Sequence, residues 1–272
     1  MGNEIVKYSN KMNKIPLEGY SKRDLNFFYS ICAKVRDRNS ELVELSFEEI
    51  AALSNYGDTS HPERLREDLQ DMRKKVLSTQ FQYETDTVDR MGNLFSTLDI
   101  KKDEDTIKVR VNIDFLDYFN ALVNEFTSFE LEQYVSLDSR YAKNLYRLLK
   151  QWKTQGKTPK YTVEELKDLL STPDYKPMIF MRDIIKPAIE ELKKKKTFSS
   201  LWCEVVYKKG RGKPVDGYIF HFRKDEIEGQ MSLETWEYGK CMPKPKSKNK
   251  FNQFEQKQDY DFDELEKTLL SN

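Results

Sequence analysis

The residues able to do covalent or metal chemistry are few and badly spaced for it. The chain has two histidines, His61 and His221, too far apart to form an H-x-H or H-E-x-x-H pair. Zinc hydrolysis and metal-dependent DNA nicking, which need clustered ligands, are therefore poorly supplied. His221 lies in the alternating run Tyr218-Ile219-Phe220-His221-Phe222, the pattern of an ordinary strand histidine. Cys32, Cys203 and Cys241 are an odd number, widely spaced and without a C-x-x-C, so neither a disulfide framework nor a zinc cage is expected. Gly156-Lys157-Thr158 has the ending of a phosphate-binding loop, but the first glycine of that motif would fall on Gln151 and the segment follows a helical pattern. A glycine closing a helix explains it better. Asp259, Asp261 and Asp263 start like a calcium loop, yet its sixth position is Glu264 and its twelfth is Leu270. No metal, cofactor or catalytic residue is expected.

What remains is charge. Lys and Arg number 46, as do Asp and Glu, so the net charge is zero although charged residues make up 34% of the chain. The balance is a cancellation. Residues 1–122 carry 18 basic and 22 acidic side chains, residues 123–228 carry 21 and 16, and residues 229–272 carry 7 and 8. Within residues 193–224, ten cations (Lys193 to Lys196, Lys208, Lys209, Arg211, Lys213, Arg223, Lys224) face only Glu204 and Asp216. Lysines at a helix end are also favoured by the helix dipole. A glycine-bearing tip such as Lys208-Lys209-Gly210-Arg211-Gly212-Lys213 gains nothing for folding from four like charges, and phosphate neutralisation is its natural use.

The elements that must hold these charges follow from periodicity. Ser21 to Arg38 reads as a helix with Leu25, Phe28, Ile31 and Val35 on one face, Ser21 as N-cap and Asp24 three residues on. A short helix starts at Ser46, where Glu49 offers a capping box. Pro62 opens a third, carrying Leu65, Leu69, Met72 and Val76. Strand-like runs follow at Phe81–Thr85, Leu94–Ile100 and Thr106–Val111. Three helices and then a hairpin is the order of a winged helix.

The order recurs, with a long helix from about Leu137 to Gln155, a capped one at Thr162/Glu165, and a third through Ile184, Ile185, Ile189 and Leu192. A hairpin then joins Leu201–Lys209 to Gly217–Arg223. Pro187 either kinks the third helix or marks its first turn. An offset of 118 sets Phe27, Phe28 and Ile31 on Leu145, Tyr146 and Leu149; one of 116 sets Ser46 on Thr162; one of 120 sets Leu65, Leu69, Met72 and Phe81 on Ile185, Ile189, Leu192 and Leu201. So small a drift predicts one module used twice. The expected fold is α+β: two tandem winged-helix domains, residues 1–122 and 123–228, and a flexible tail, 229–272, comprising a Lys/Pro linker and an acidic stretch with Phe262, Leu265, Leu269 and Leu270 at helical spacing. No window supplies the roughly 18 apolar residues of a membrane span, the N-terminus lacks a signal-like apolar run, and Val6 stands where a myristoylation motif wants Ser or Thr. A reducing cytoplasm is the expected location.

Three stretches carry a family resemblance. Phe129 to Lys150, with Ser139, Tyr141, Leu145 and Tyr146, resembles the opening helix of the second domain of Rep_3-type plasmid replication initiators. Phe180 to Leu192 is similar to that family's recognition-helix segment, and Tyr207 to Lys213 to its wing. The resemblance implies a sequence-specific, non-enzymatic DNA-binding initiator of plasmid replication that reads direct repeats (iterons) at a double-stranded origin, exists as monomer and dimer, and sometimes represses its own gene. It further implies Arg182 and Lys186 as base-reading residues, with Lys176, Lys193, Lys208, Lys209, Arg211, Lys213, Arg140 and Lys143 on the backbone. Thr59, Ser60, Arg64 and Arg66 are weaker candidates in the first module. Phe262, Leu265, Leu269 and Leu270 would dock a host initiation or helicase-loading protein, since the tail resembles those of phage replisome organisers and plasmid initiators of low-GC Gram-positive bacteria. A winged-helix transcriptional repressor and a phage-type replisome organiser are the alternatives.

Overall fold

The computed structural model describes residues 4–57, 61–84, 87–101, 103–120, 122–209 and 212–224. Strand β1 (Ile5–Ser9) leads through a 3-10 turn (Asn10–Lys14) to helix α1 (Lys22–Val35). Then come β2 (Val43–Ser46), α2 (Phe47–Leu53), α3 (Pro62–Ser78), β3 (Phe81–Glu84), β4 (Asp89–Gly92), β5 (Phe95–Ile100) and β6 (Thr106–Val111). After a second 3-10 segment (Ile113–Tyr118), β7 (Phe126–Glu130) and α4 (Leu131–Val135) precede α5 (Arg140–Gln151). The second module continues with β8 (Tyr161–Thr162), α6 (Val163–Leu170), α7 (Pro177–Phe180), a π turn (Met181–Ile185), α8 (Lys186–Lys194), β9 (Trp202–Tyr207) and β10 (Val215–His221).

The internal repeat is visible in the sheets. One has the order β2-β6-β5 and the other β8-β10-β9, so in each a short strand ahead of the second helix pairs with the last strand of the hairpin. Two winged helices result. One equivalence read from the sequence needs correction: Phe81 does not match Leu201, because β3 pairs with β4 in a separate two-stranded hairpin, and β5 is the counterpart of β9. Leu94, buried just before β5, takes the place of Leu201, buried just before β9. The alternation of apolar residues marked the strands without showing which would pair.

Local capping mostly follows the residue pattern. Reciprocal capping boxes form at Ser21/Asp24 and Thr162/Glu165. At Ser46 only half forms: the Ser46 hydroxyl accepts from the Glu49 amide, but the Glu49 carboxylate pairs with Lys34 at 2.9 Å. A charged partner competes well with a neutral amide for a carboxylate. Helix α5 ends at Gln151, and Gly156 follows at φ +73° with its carbonyl accepting from the Phe222 amide at 2.9 Å. The expectation of a glycine cap needs correction: Trp152 caps α5 and Gly156 turns the chain about one turn later, while Thr158 is buried in hydrogen bonds with Phe220 and not open to phosphate.

Strand β1 pairs antiparallel with β7 along its whole length, Ile5 opposite Glu130 and Ser9 opposite Phe126, so the chain's start is joined to the segment just beyond residue 122. Buried apolar residues of both modules form one core. Its centre is aromatic. The ring of Phe129 lies 6.0 Å from Tyr8, 5.8 Å from Tyr29, 5.1 Å from Tyr134 and 5.4 Å from Tyr146, offset-stacked or edge-on as ring quadrupoles prefer. Beside them Arg147, fully buried, donates to the carbonyls of Met12 (3.2 Å), Ile15 (3.2 Å) and Leu169 (3.5 Å) and to the Tyr29 hydroxyl (3.4 Å). That one side chain joins α5 to the segment before α1 and to α6. Asn13 adds bonds to Thr127 (2.7 Å) and Gln151 (3.0 Å).

Candidate nucleic-acid interface

In the second module, α7, the π turn and α8 form one continuous helix, with right-handed helical dihedrals at both junctions. Pro177 occupies its first turn, so Pro187 does not begin it. The π turn lies just before Pro187, and the Lys186 amide reaches back five residues to the Met181 carbonyl. A proline inside a helix has no amide to donate to the carbonyl four residues earlier, and local widening accommodates the missing bond without breaking the helix. Ile184, Ile185, Ala188, Ile189 and Leu192 face the core, while Arg182, Lys186, Lys193 and Lys176 at the N-cap are exposed.

The wing is fixed against the start of this helix. The Tyr218 hydroxyl donates to the Pro177 carbonyl at 3.3 Å, and the Phe180 and Tyr218 rings meet at 5.9 Å. Gly217 is required where β10 meets β8, since a Cβ there would lie 2.2 Å from the Tyr161 carbonyl oxygen. At the tip, Gly212 at φ +82° and Lys213 at φ +39° turn the chain, and the Lys208 amide closes the hairpin on the Pro214 carbonyl at 2.9 Å. Lys208, Lys209 and Lys213 are exposed and, like Lys176, Lys186 and Lys193, form no ion pair among the described residues. Cations left in water at a helix start and an adjoining wing tip suit phosphate.

Arg182 is differently placed. Its guanidinium grips the neighbouring Asp183 carboxylate through two bonds, 2.6 and 2.8 Å, which raises the Arg182 pKa and lowers that of Asp183. Asp183 thus takes up one edge of the guanidinium, its Nε and Nη2 donors, which a base contacting that edge would have to share or displace. Arg140, half-buried at the start of α5, lies over the Tyr141 ring at 4.7 Å and donates to its hydroxyl at 2.8 Å.

Lys143 requires correction. It is fully buried, its ammonium donates to the Tyr134 carbonyl and sits 4.5 Å over the Tyr134 ring, and burial together with the nearby Lys22 charge pushes its pKa down to about 7. It is core and has no access to a phosphate. The α5 periodicity placed Tyr141, Leu145, Leu148 and Trp152 inside, but α5 is covered on several sides by α1, α6, α8 and β7, which enclose Lys143, Arg147 and Lys150 as well. Lys150, over the Tyr146 and Phe198 rings, is likewise pushed down to about 7 by burial.

In the first module Arg64 is exposed at the edge of an open cavity of about 790 Å³ lined by Lys22, Arg23, Asn26 and Tyr56. Arg66 is engaged within the module: it pairs with Asp105 at 2.8 Å, donates to the Lys101 carbonyl and packs over the Phe47 ring at 5.0 Å, holding the β5–β6 turn. Thr59, Ser60, Arg211, Phe262, Leu265, Leu269 and Leu270 lie outside the described residues. Burial pushes the Cys32 thiol well up and that of Cys203 to about 12, the reverse of what a nucleophile needs. Among the described residues no group of three or more His, Cys, Asp or Glu side chains could hold a metal, and no helix is long and apolar enough to cross a membrane.

The profile of "Initiator Replication protein, WH1" matches residues 5–150, and that of "Initiator Rep protein, WH2" matches residues 162–222. The chain belongs to the initiator replication protein family. It is 30% identical over 229 residues to the probable replication protein Rep of Bifidobacterium longum (strain NCC 2705), covering 83% of this chain and 74% of that protein. It is 27% identical over 163 residues to the PI protein of Escherichia coli, covering 53% of each. Among solved structures, the Pi initiator protein in complex with iteron DNA superposes with a TM-score of 0.64 at 20% identity, over 81% of this chain and 98% of that one. The initiator family's two winged helices are thus both present, each with its sheet in the same strand order.

Proposed function

We propose that this initiator binds directly repeated double-stranded sites at a plasmid origin, without catalysing a reaction itself, and recruits the host's replication proteins to them from the cytoplasm. The observation that carries this is the set of exposed lysines, Lys176 and Lys186 on the recognition helix and Lys208, Lys209 and Lys213 on the wing, that form no ion pair among the described residues. Lys186 and an Arg182 released from Asp183 face bases; Lys176, Lys208, Lys209, Arg211 and Lys213 hold phosphates, while Lys193, in the last turn of the continuous helix, stands apart from them. The first module adds a weaker contact through Thr59, Ser60 and Arg64 and takes part in self-association. The acidic stretch with Phe262, Leu265, Leu269 and Leu270 docks the host partner. The fold match to a protein crystallised on iteron DNA supports the duplex partner.

Footprinting on the sequence flanking the gene tests it. Protection of several direct repeats of about 20 base pairs is expected, with a strong salt dependence of affinity. Protection of one inverted repeat over the promoter alone would replace the proposal with the repressor reading. Deleting residues 251–272 is expected to leave the footprint intact and to abolish plasmid maintenance.

A further inference from the structure

The second module carries another basic surface, at the end away from its DNA-reading helix start. The bond from Tyr218 to Pro177 sets the start of the recognition helix beside the middle of β10. At the other end the Phe198 and Phe222 rings meet at 5.1 Å and the Arg223 amide donates to Ser200 at 2.8 Å, which sets the end of α8 beside the base of the hairpin. A continuous helix from 177 to 194 is about 27 Å long, and six residues of β9 put Trp202 about 20 Å from the wing tip. A duplex on the helix start and wing tip therefore leaves the hairpin base open.

That base has the composition of a protein-binding face. Trp202, 51% exposed, stacks flat on His221 at 4.3 Å, and His221 is hydrogen-bonded to Glu204 at 2.8 Å. The pairing register puts Trp202, Glu204 and Val206 of β9 and Ile219 and His221 of β10 on the outward side, opposite the buried Tyr218 and Phe220. Exposed Lys193, Lys194 and Lys196 at the end of α8, with Arg223 and Lys224 after β10, make the surroundings positive. Among the described residues, strand β9 is also the outer strand of its sheet, paired only with β10. An exposed tryptophan amid charge is the make-up of a binding hot spot, and an unpaired strand edge is a template for an added strand.

We propose that this edge takes an extended acidic peptide from a protein partner, which adds a strand alongside β9, packs an apolar side chain on Trp202 and sets its carboxylates against the surrounding lysines. Charge complementarity argues for an acidic occupant. Glu204, in the middle of the face, argues for a peptide over a nucleic-acid strand, because a carboxylate repels phosphates but accepts from a peptide N–H.

The test uses the full chain and a fluorescein-labelled ten-residue peptide of alternating glutamate and valine, read by anisotropy and by hydrogen exchange. Binding should slow exchange in residues 202–207. It should weaken at least tenfold when lysines replace the peptide's glutamates, in Trp202→Ser, and in a chain with Lys193, Lys194 and Lys196 changed to Glu. Origin duplex should leave the peptide's affinity unchanged. Absence of protection at β9, or equal affinity for the variants, overturns the proposal. So does an oligothymidylate that protects β9 when the peptide does not, and so does competition by the duplex. Because peptide binding is read without DNA, failure of the origin-binding reading leaves this result separable.

Discussion

The two buried lysines of α5 make the protein's stability rise with pH above neutrality. Lys143 and Lys150 are 0% and 2% exposed, and burial holds both near a pKa of about 7 in the folded chain, against an ordinary value of 10.5 that an unfolded chain recovers. Between these two values the unfolded state keeps a proton that the folded state has released, so raising the pH favours folding. From pH 7 to pH 8.5 the gain is about 1.5 kcal/mol per lysine, about 3 kcal/mol for both. Lys153, lowered for the same reason, adds in the same direction. Burial holds the Cys32 and Cys203 thiols protonated in the fold, which works against this as unfolded thiols ionise near 9. By pH 8.5 they take back less than about 0.5 kcal/mol. Urea unfolding at the two pH values, with Lys143→Met and Lys150→Met beside the native chain, measures the effect. Each variant should lose about half of the rise. Lys143→Met should also keep the native affinity for DNA and the same salt dependence, since its ammonium lies on the Tyr134 carbonyl. A native stability that stays flat or falls over this range would refute the reasoning, as would a Lys143→Met chain with weakened DNA binding.

Arg147→Ala should cost about 3–5 kcal/mol in the same unfolding assay, because it leaves the Ile15 carbonyl without a donor in the core and takes one of two donors from the Met12 carbonyl; a cost under about 1 kcal/mol would mean that the β1–β7 pairing, the Asn13 bonds and the aromatic rings join the modules without it. Changing Lys208, Lys209 and Lys213 together to Ala should weaken binding to all DNA and lower the magnitude of the salt slope by up to about 3, and titrations at several salt concentrations check this. Asp183→Ala should tighten DNA binding by releasing Arg182 from its two-bond pair, whereas Arg182→Ala should cost about 1–3 kcal/mol at one base position; equal losses across all base positions would assign Arg182 to the backbone.

Much of this protein is local and was legible as such. Helix boundaries at Ser21, Pro62 and Thr162 follow from capping oxygens and a proline within a few residues, and the repeated order of elements follows from apolar spacing alone. The charge on the wing was legible for a related reason: Lys208, Lys209 and Lys213 lie on a turn, where a side chain has nowhere to go but water. Long-range pairing was not. That β1 crosses to β7 and that Arg147 reaches the carbonyls of Met12 and Ile15 are matters of which surfaces meet, and no periodicity encodes them. Lys143 and Arg147 show the difference most clearly. By residue type both belong on a DNA-facing surface. Tertiary packing encloses α5 between two modules, and there a cation is held by carbonyls and aromatic rings and no longer meets solvent.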